Sequence, residues 1–160
     1  MTLEISPAVP AEFPAIAELT VSTYVSQGWA GPEYQRTLAD VAGRAEQAEL
    51  LVARLDGAVV GSVALVLDGE FGEVTESPDE AAFRMLVVDP GVRGKGIGEA
   101  LVRACLDRAR AAGRTAVVLS TDPRMQAAHR LYERIGFTRL PARDWSPMPG
   151  VDLLVYRSGL

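Results

Sequence analysis

One stretch constrains this chain more than any other: LVVDPGVRGKGIGEALVRACL, from Leu86 to Leu106. An apolar, β-rich run ends at Asp89 and Pro90, and four glycines with Arg93 and Lys95 follow at once. Beyond them Ile97, Leu101, Val102, Cys105, Leu106, Ala109 and Ala112 fall on one half of a helical wheel. Glu99, Arg103, Asp107 and Arg110 fall on the other half, so the helix lies on a sheet. A strand that hands over to a sheet-covering helix through one short turn belongs to a layered α/β fold.

The turn also has a chemistry. A helix N-terminus leaves N–H groups without partners, and its dipole favours an anion. Glycines remove the β-carbons that would hold a phosphate away from those groups. With Arg93 and Lys95 beside them, the turn is suited to a phosphate or pyrophosphate. The run GVRGKGIG is not a Walker A loop, which needs G-x-x-x-x-G-K-[ST]. Nor is it a dinucleotide fingerprint, because Gly94, Gly96 and Gly98 alternate. The plainer alternative is a turn that only reverses the chain.

The remaining segments extend the α/β pattern. LEI (Leu3 to Ile5) reads as a short strand before Pro7 and Pro10. EFPAIAELTVSTYVSQGW reads as a helix, and GPEYQRTLADVAGRAEQA as a second with Pro32 in its first turn. ELLVARLDGAVVGSVALVL holds two strands joined by Asp56-Gly57, a hairpin signal. FGEVTESPDE is an acidic loop, AAFRMLVVD a buried strand, TAVVLST another, and MQAAHRLYERIG a helix closed by Gly136. FTRLPARDW and VDLLVYRS form a last hairpin around the loop SPMPG. The predicted order is β-α-α-β-β-β-α-β-α-β-β, with residues 1–160 as one domain.

The pattern Arg93-x-x-Gly96-x-Gly98 after LVVDP resembles the acyl-CoA pyrophosphate loop of the GNAT acyltransferase superfamily, [RQ]-x-x-G-x-[GA]. AAHRLYERIGF is similar to that family's A-x-x-L-Y-E-K-x-G-F helix and strand. The resemblance covers nearly the whole chain. It implies a single-domain GNAT fold: a mixed, mostly antiparallel central sheet with helices on both faces.

The resemblance also implies roles. Backbone groups of Leu86, Val87 and Val88 would pair with the pantetheine arm of acetyl-CoA, the cosubstrate. Arg93, Gly94, Lys95, Gly96, Ile97 and Gly98 would wrap its pyrophosphate. The Val88 N–H would stabilise the oxyanion, and Tyr132 would protonate the departing thiolate. Tyr132 could equally be a helix tyrosine packing with Ala128 and Ile135. Met125 stands where the family usually has an asparagine against pantetheine, and Ala128 lies on the same helix. Some members carry a glutamate at the position of Ala82; Glu80, two residues earlier, is the expected base acting through water, with Asp79, Glu76 and Glu73 as weaker candidates. Tyr24, Trp29 and Trp145 would line the acceptor pocket or merely anchor loops. His129 reads as a solvated helix residue and Cys105 as core.

The implied reaction moves an acetyl group from acetyl-CoA to a primary amine of a small molecule. A protein N-terminal or lysine acetyltransferase and a non-catalytic acyl-CoA sensor are the alternatives. Net charge is −5, from 21 acids and 16 bases, a poor fit to nucleic acid. It favours a polyamine, aminoglycoside-like or peptide amine over an anionic acceptor. One cysteine and one histidine leave little for a metal site, and the lone cysteine fits a reducing cytoplasm. No run has the length to span a bilayer, and the start lacks the features of a secretory signal. VDLLVYRS is apolar enough for a homodimer strand and equally apt for a core.

Overall fold

The computed structural model describes residues 2–68 and 75–160, which form eight strands and five α-helices. They run β1 (Leu3–Pro7), α1 (Phe13–Ser26), α2 (Pro32–Ala39), α3 (Val41–Gln47), β2 (Glu49–Leu55), β3 (Ala58–Val66) and β4 (Glu80–Val88). Then follow α4 (Ile97–Ala111), β5 (Ala116–Thr121), α5 (Gln126–Ile135), β6 (Thr138–Arg139), β7 (Trp145–Met148) and β8 (Val151–Gly159). The sheet order is β1-β2-β3-β4-β5-β8-β6, with β7 on β8. Only β4 and β5 run parallel among the described pairs.

Strand alternation sorts the core onto two faces. Leu51, Ala53, Val63 and Leu65 meet the α4 residues Leu101 and Cys105 and the α5 residue Tyr132. Leu50, Val52 and Ala64 turn the other way, onto Ile16 of α1 and Val41 of α3. The α4 side chains read as apolar are buried from Ile97 to Ala109, whereas Ala112, read on the same face, is exposed at the C-cap. The Asp56-Gly57 turn has φ of 50° and 86°, the left-handed pair that a tight hairpin needs.

Two expectations are corrected. The second helix is broken at Asp40, whose ψ of 68° leaves the helical region. Its carboxylate accepts the Gly43 N–H at 3.1 Å and so caps a separate α3. At the C-terminus, the first arm of the expected hairpin is mostly not strand. β6 has two residues, and Pro141–Arg143 form a 3-10 turn. β7 takes in Ser146 to Met148, expected as loop, and the chain reverses at Gly150 with φ of 84°.

β4 positions everything that follows. Its first three residues, Glu80 to Ala82, pair with Ala116 to Val118 of β5. Beyond Ala82 no such pairing continues, and β5 goes on beside β8 alone. On its other edge β4 carries a bulge: Arg84 faces Ala64 and Val87 faces Ser62, so Met85 and Leu86 both stand opposite Val63. Met85 takes a φ of 57° there.

Candidate active site

Where β4 and β5 part, backbone groups lose a sheet partner on one side. The Asp89 N–H donates to the Val60 carbonyl at 2.8 Å, which marks the hydrogen-bonded register with β3. Val88, opposite Gly61, therefore falls in the alternate register and turns its N–H and C=O toward the gap. By the same alternation Val87 turns its groups onto β3. Its backbone is committed to the ladder and its side chain is buried, against the expectation that it meets pantetheine.

The glycine turn lies at the end of this open edge. Asp89 accepts the Gly91 N–H at 2.9 Å and starts the turn. Gly94 and Gly96 have φ of 81° and 74°, and a Cβ at either would meet nothing within 4 Å. Gly96 is the N-cap of α4, and the first intrahelical bond runs from Ala100 N–H to the Gly96 carbonyl at 3.0 Å. The N–H groups of Ile97, Gly98 and Glu99 precede that bond and have no intrahelical acceptor. Arg93, Gly94, Lys95 and Gly96 are exposed, whereas the Ile97 side chain is core. Gly98 is bare for another reason: a Cβ there would come 3.3 Å from Leu131 of α5. The cradle is open and positive, and it fits a pyrophosphate.

A narrow pocket of about 90 Å³ sits in the gap, lined in part by Leu86, Leu119, Ala128 and Tyr132. It shares Arg84, Met85, Ser120 and Thr121 with a larger cavity of about 1320 Å³. Walls of that cavity come from the α1–α2 loop, β4, the turn after β5 and the β7–β8 hairpin. The Tyr132 ring packs against Phe83, Phe137 and Tyr156 at centroid distances of 5.8, 5.9 and 6.0 Å. Its hydroxyl makes no hydrogen bond among the described residues, and burial pushes its pKa above the ordinary tyrosine value. A phenol so placed keeps its proton at neutral pH.

A family model described as acetyltransferase (GNAT) family matches residues 13–137, which hold both the parted strands and the glycine turn. The chain belongs to the GNAT family. Human N-acetylaspartate synthetase is 40% identical over 102 residues, 64% of this chain and 32% of that protein. An IAA acetyltransferase of Azospirillum brasilense is 37% identical over 102 residues, 62% of this chain and 61% of that one. The chain thus spans about a third of the N-acetylaspartate synthetases it matches. A GNAT acetyltransferase from Staphylococcus aureus Mu50 superposes with a TM-score of 0.77 at 18% identity, over 99% of both chains. PaiA N-acetyltransferase from Thermoplasma acidophilum, solved in complex with coenzyme A, gives 0.74 at 16% over 100% of both.

Within this GNAT fold the aromatics expected at an acceptor pocket converge. Tyr24, Trp29 and Trp145 line the larger cavity together with Tyr34. Trp29 meets Tyr24 edge-on at 5.7 Å, and the Trp145 indole N–H donates to Ser120 Oγ at 3.0 Å. Met125 lines both cavities, and the Thr121 hydroxyl donates to its sulfur at 3.8 Å.

Glu80 departs from its expected role. It lies in the closed half of β4 and does not line the cavity. Arg143 grips both of its oxygens at 2.9 and 3.0 Å, Arg157 adds a contact at 3.3 Å, and the Glu76 N–H donates to it at 3.0 Å. These bonds, Arg143 foremost, outweigh burial and hold the carboxyl at about 2. A carboxylate this weak and this enclosed is a poor base. The Glu76 carboxylate is itself on Arg143 at 3.2 Å, Asp79 is exposed, and Glu73 lies outside the described residues.

His129 is not a solvated residue either. Half-buried, it stacks on Tyr156 at 5.6 Å, and its Nε2 stands 3.0 Å from the Asp122 carbonyl and 3.2 Å from Thr121 Oγ1. A carbonyl accepts only, so Nε2 carries the proton and braces the turn after β5. Cys105 is core, and burial pushes its thiol up to about 12. No helix among the described residues is long and apolar enough to cross a membrane. Arg84, Tyr34 and Ser120 were missed in the sequence reading. Arg84 alone carried a signal, a cation inside an otherwise apolar strand.

Proposed function

We propose that this protein is an acetyl-CoA-dependent N-acetyltransferase acting on a primary amine of a small molecule. The observation that carries it is the parting of β4 and β5 after Ala82, with the Val88 peptide groups turned into the gap and Tyr132 at its edge. The glycine turn supplies N–H groups and cations for a pyrophosphate at one end of that gap, and the aromatic cavity supplies an acceptor site at the other.

On this reading the amine attacks the thioester directly. The Val88 N–H donates to the oxygen on which charge develops. Tyr132, kept protonated by burial, gives its proton to the departing sulfur. Holding both reactants in one cleft supplies much of the acceleration. With Glu80 locked in ion pairs, the amine loses its proton to cavity water before attack. The relatives named as synthetase or acetyltransferase support acetyl transfer, and N-acetylaspartate synthetase by its name forms an N-acetyl amino acid.

The test is calorimetry with acetyl-CoA together with CoA release across a panel of amines. Binding with amine-dependent CoA release is the expected outcome. Binding without release to any amine would favour the sensor alternative, and no binding would overturn the reading of the glycine turn.

A further inference from the structure

One wall of the acceptor cavity hangs on few backbone bonds. β8 pairs with β5 only as far as Leu154 opposite Thr121, so Val151 to Leu153 run on past that ladder. Among the described strands β7 pairs with β8 alone, with Trp145 opposite Leu153, Met148 opposite Val151 and a register shift between them. Yet Trp145, Pro147, Met148, Val151 and Leu153 all line the cavity. A two-stranded ribbon this short does not hold a position by itself. Three consecutive residues at its base tie it down. Arg143 places its terminal nitrogens on the two Glu80 oxygens of β4 at 2.9 and 3.0 Å. Asp144 takes the Arg139 fork of β6 on both oxygens, at 2.8 Å each, and one oxygen also accepts the Val155 N–H of β8 at 2.9 Å. The Trp145 indole N–H reaches Ser120 of β5. Three neighbours in sequence thus hold four different strands. Both ion pairs are two-pronged, a geometry that fixes direction as well as distance.

We infer that Glu80 and Asp144 are positioning residues for the acceptor: they seat Trp145 and the β7–β8 hairpin as a fixed wall, and so set acceptor affinity without touching the acceptor. This rests on the acetyl-CoA reading above. Neither carboxylate lines the cavity. Glu80 grips Arg143, two residues before Trp145, and Asp144 is the immediate neighbour of Trp145. The carboxylate that is a poor base at the gap thereby serves the far wall. An acceptor held within the gap pocket of about 90 Å³ does not reach the hairpin, whereas a larger one lies against it. A loosened clasp therefore weakens large acceptors through KM and spares small ones. The gap sets kcat and the glycine turn sets acetyl-CoA affinity, so both hold.

Two readouts separate this role from a general loosening of the fold. The first needs no acceptor: the chain has two tryptophans, so in Trp29→Phe the indole emission is that of Trp145. Adding Glu80→Gln or Asp144→Asn should raise its quenching by acrylamide, and Glu80→Asp, which keeps the charge, should raise it less. The second keeps both tryptophans and reads CoA release for a panel running from ethylamine to phenethylamine and spermidine, after acetyl-CoA binding by calorimetry. In either variant the KM of the bulkiest amine turned over should rise about 3- to 10-fold, the cost of ordering one or two side chains on binding. The KM of the smallest, kcat and acetyl-CoA affinity should stay within about twofold of wild type. Arg139 is left intact because it also lies over the Tyr156 ring at 5.5 Å, and that ring backs Tyr132. Unchanged quenching, or a KM rise or kcat loss shared by every amine, would overturn the inference and leave the transferase reading standing. No acetyl-CoA binding, or binding with no amine acetylated, would overturn both. Should one variant fail to fold, the other decides.

Discussion

The two halves of β4 are one strand with opposite duties. From Glu80 to Ala82 the strand pairs with β5, joined by β3 at Ala82, and the terminal carboxylate is clamped by two arginines from distant parts of the chain. From Phe83 to Val88 one edge has no β5 partner, a bulge bends the strand, and the neighbouring space is cavity. A sheet interior normally satisfies each peptide group with another strand. Here the second half leaves that demand unmet by β5. The closed half holds β5 in place so that the open half can stay open.

The largest expected effect lies in the open half. Tyr132→Phe should lower kcat by about 100-fold or more, the usual worth of a general acid. Because the hydroxyl makes no hydrogen bond among the described residues, thermal stability and acetyl-CoA affinity should hold. A variant with full kcat would remove Tyr132 from the chemistry and leave it a packing residue against Phe83.

The closed half should answer in the opposite way. Glu80→Gln leaves Arg143 and Arg157 facing a neutral amide, and should cost about 3 kcal/mol of stability in denaturant titration. The kcat of the folded variant should stay within about twofold of wild type, since a group with no contact to the reacting atoms sits outside the barrier. A large loss of kcat with stability intact would return Glu80 to the role of base. The pH dependence follows with its sign. The carboxyl falls from 4.5 to about 2 on folding, so its contribution is full above 4.5 and is lost as pH drops toward 2. Unfolding free energies between pH 5 and 2 should decline by up to about 3 kcal/mol from this group, and the decline should be shallower in Glu80→Gln.

The same contrast explains what could be read from sequence. The strand-turn-helix around Arg93 to Gly98 was legible because its signals are local: glycine spacing, a helical wheel, cations in the turn. Tyr132 and the aromatics were named from resemblance and position, and the structure places them on the walls of the two cavities. Glu80 misled because its arginines lie 63 and 77 residues away, and nothing in the strand announces them. The break at Asp40 could have been read from the aspartate preceding Gly43, a cap signal inside a helical pattern. The place of β8 between β5 and β6 could not, because the short segments there carry no pairing information.

A smaller effect separates the two ends of α4. Gly96 and Gly113 have φ of 74° and 80°, and a Cβ at either meets nothing within 4 Å. Alanine at each should therefore cost a similar strain, about 1 kcal/mol. Only Gly96→Ala should weaken acetyl-CoA binding, by about tenfold, because the strained peptide is part of the proposed phosphate cradle. Equal affinities in calorimetry would mean that the cradle does not depend on that conformation.

The smallest effect tests whether the open half extends across the cavity. The Trp145 indole N–H reaches Ser120 Oγ at 3.0 Å and ties the β7–β8 hairpin to β5 on the far side from β4. Trp145→Phe keeps an aromatic wall and deletes the donor; Ser120→Ala deletes the acceptor. Each should cost about 1 kcal/mol of stability and raise the acceptor KM a few-fold, with acetyl-CoA affinity unchanged. The double variant should cost no more than either alone, since both remove one bond. Additive losses in that cycle would mean that the two side chains act separately, and that the hairpin borders the acceptor cavity without being held to it by this bond.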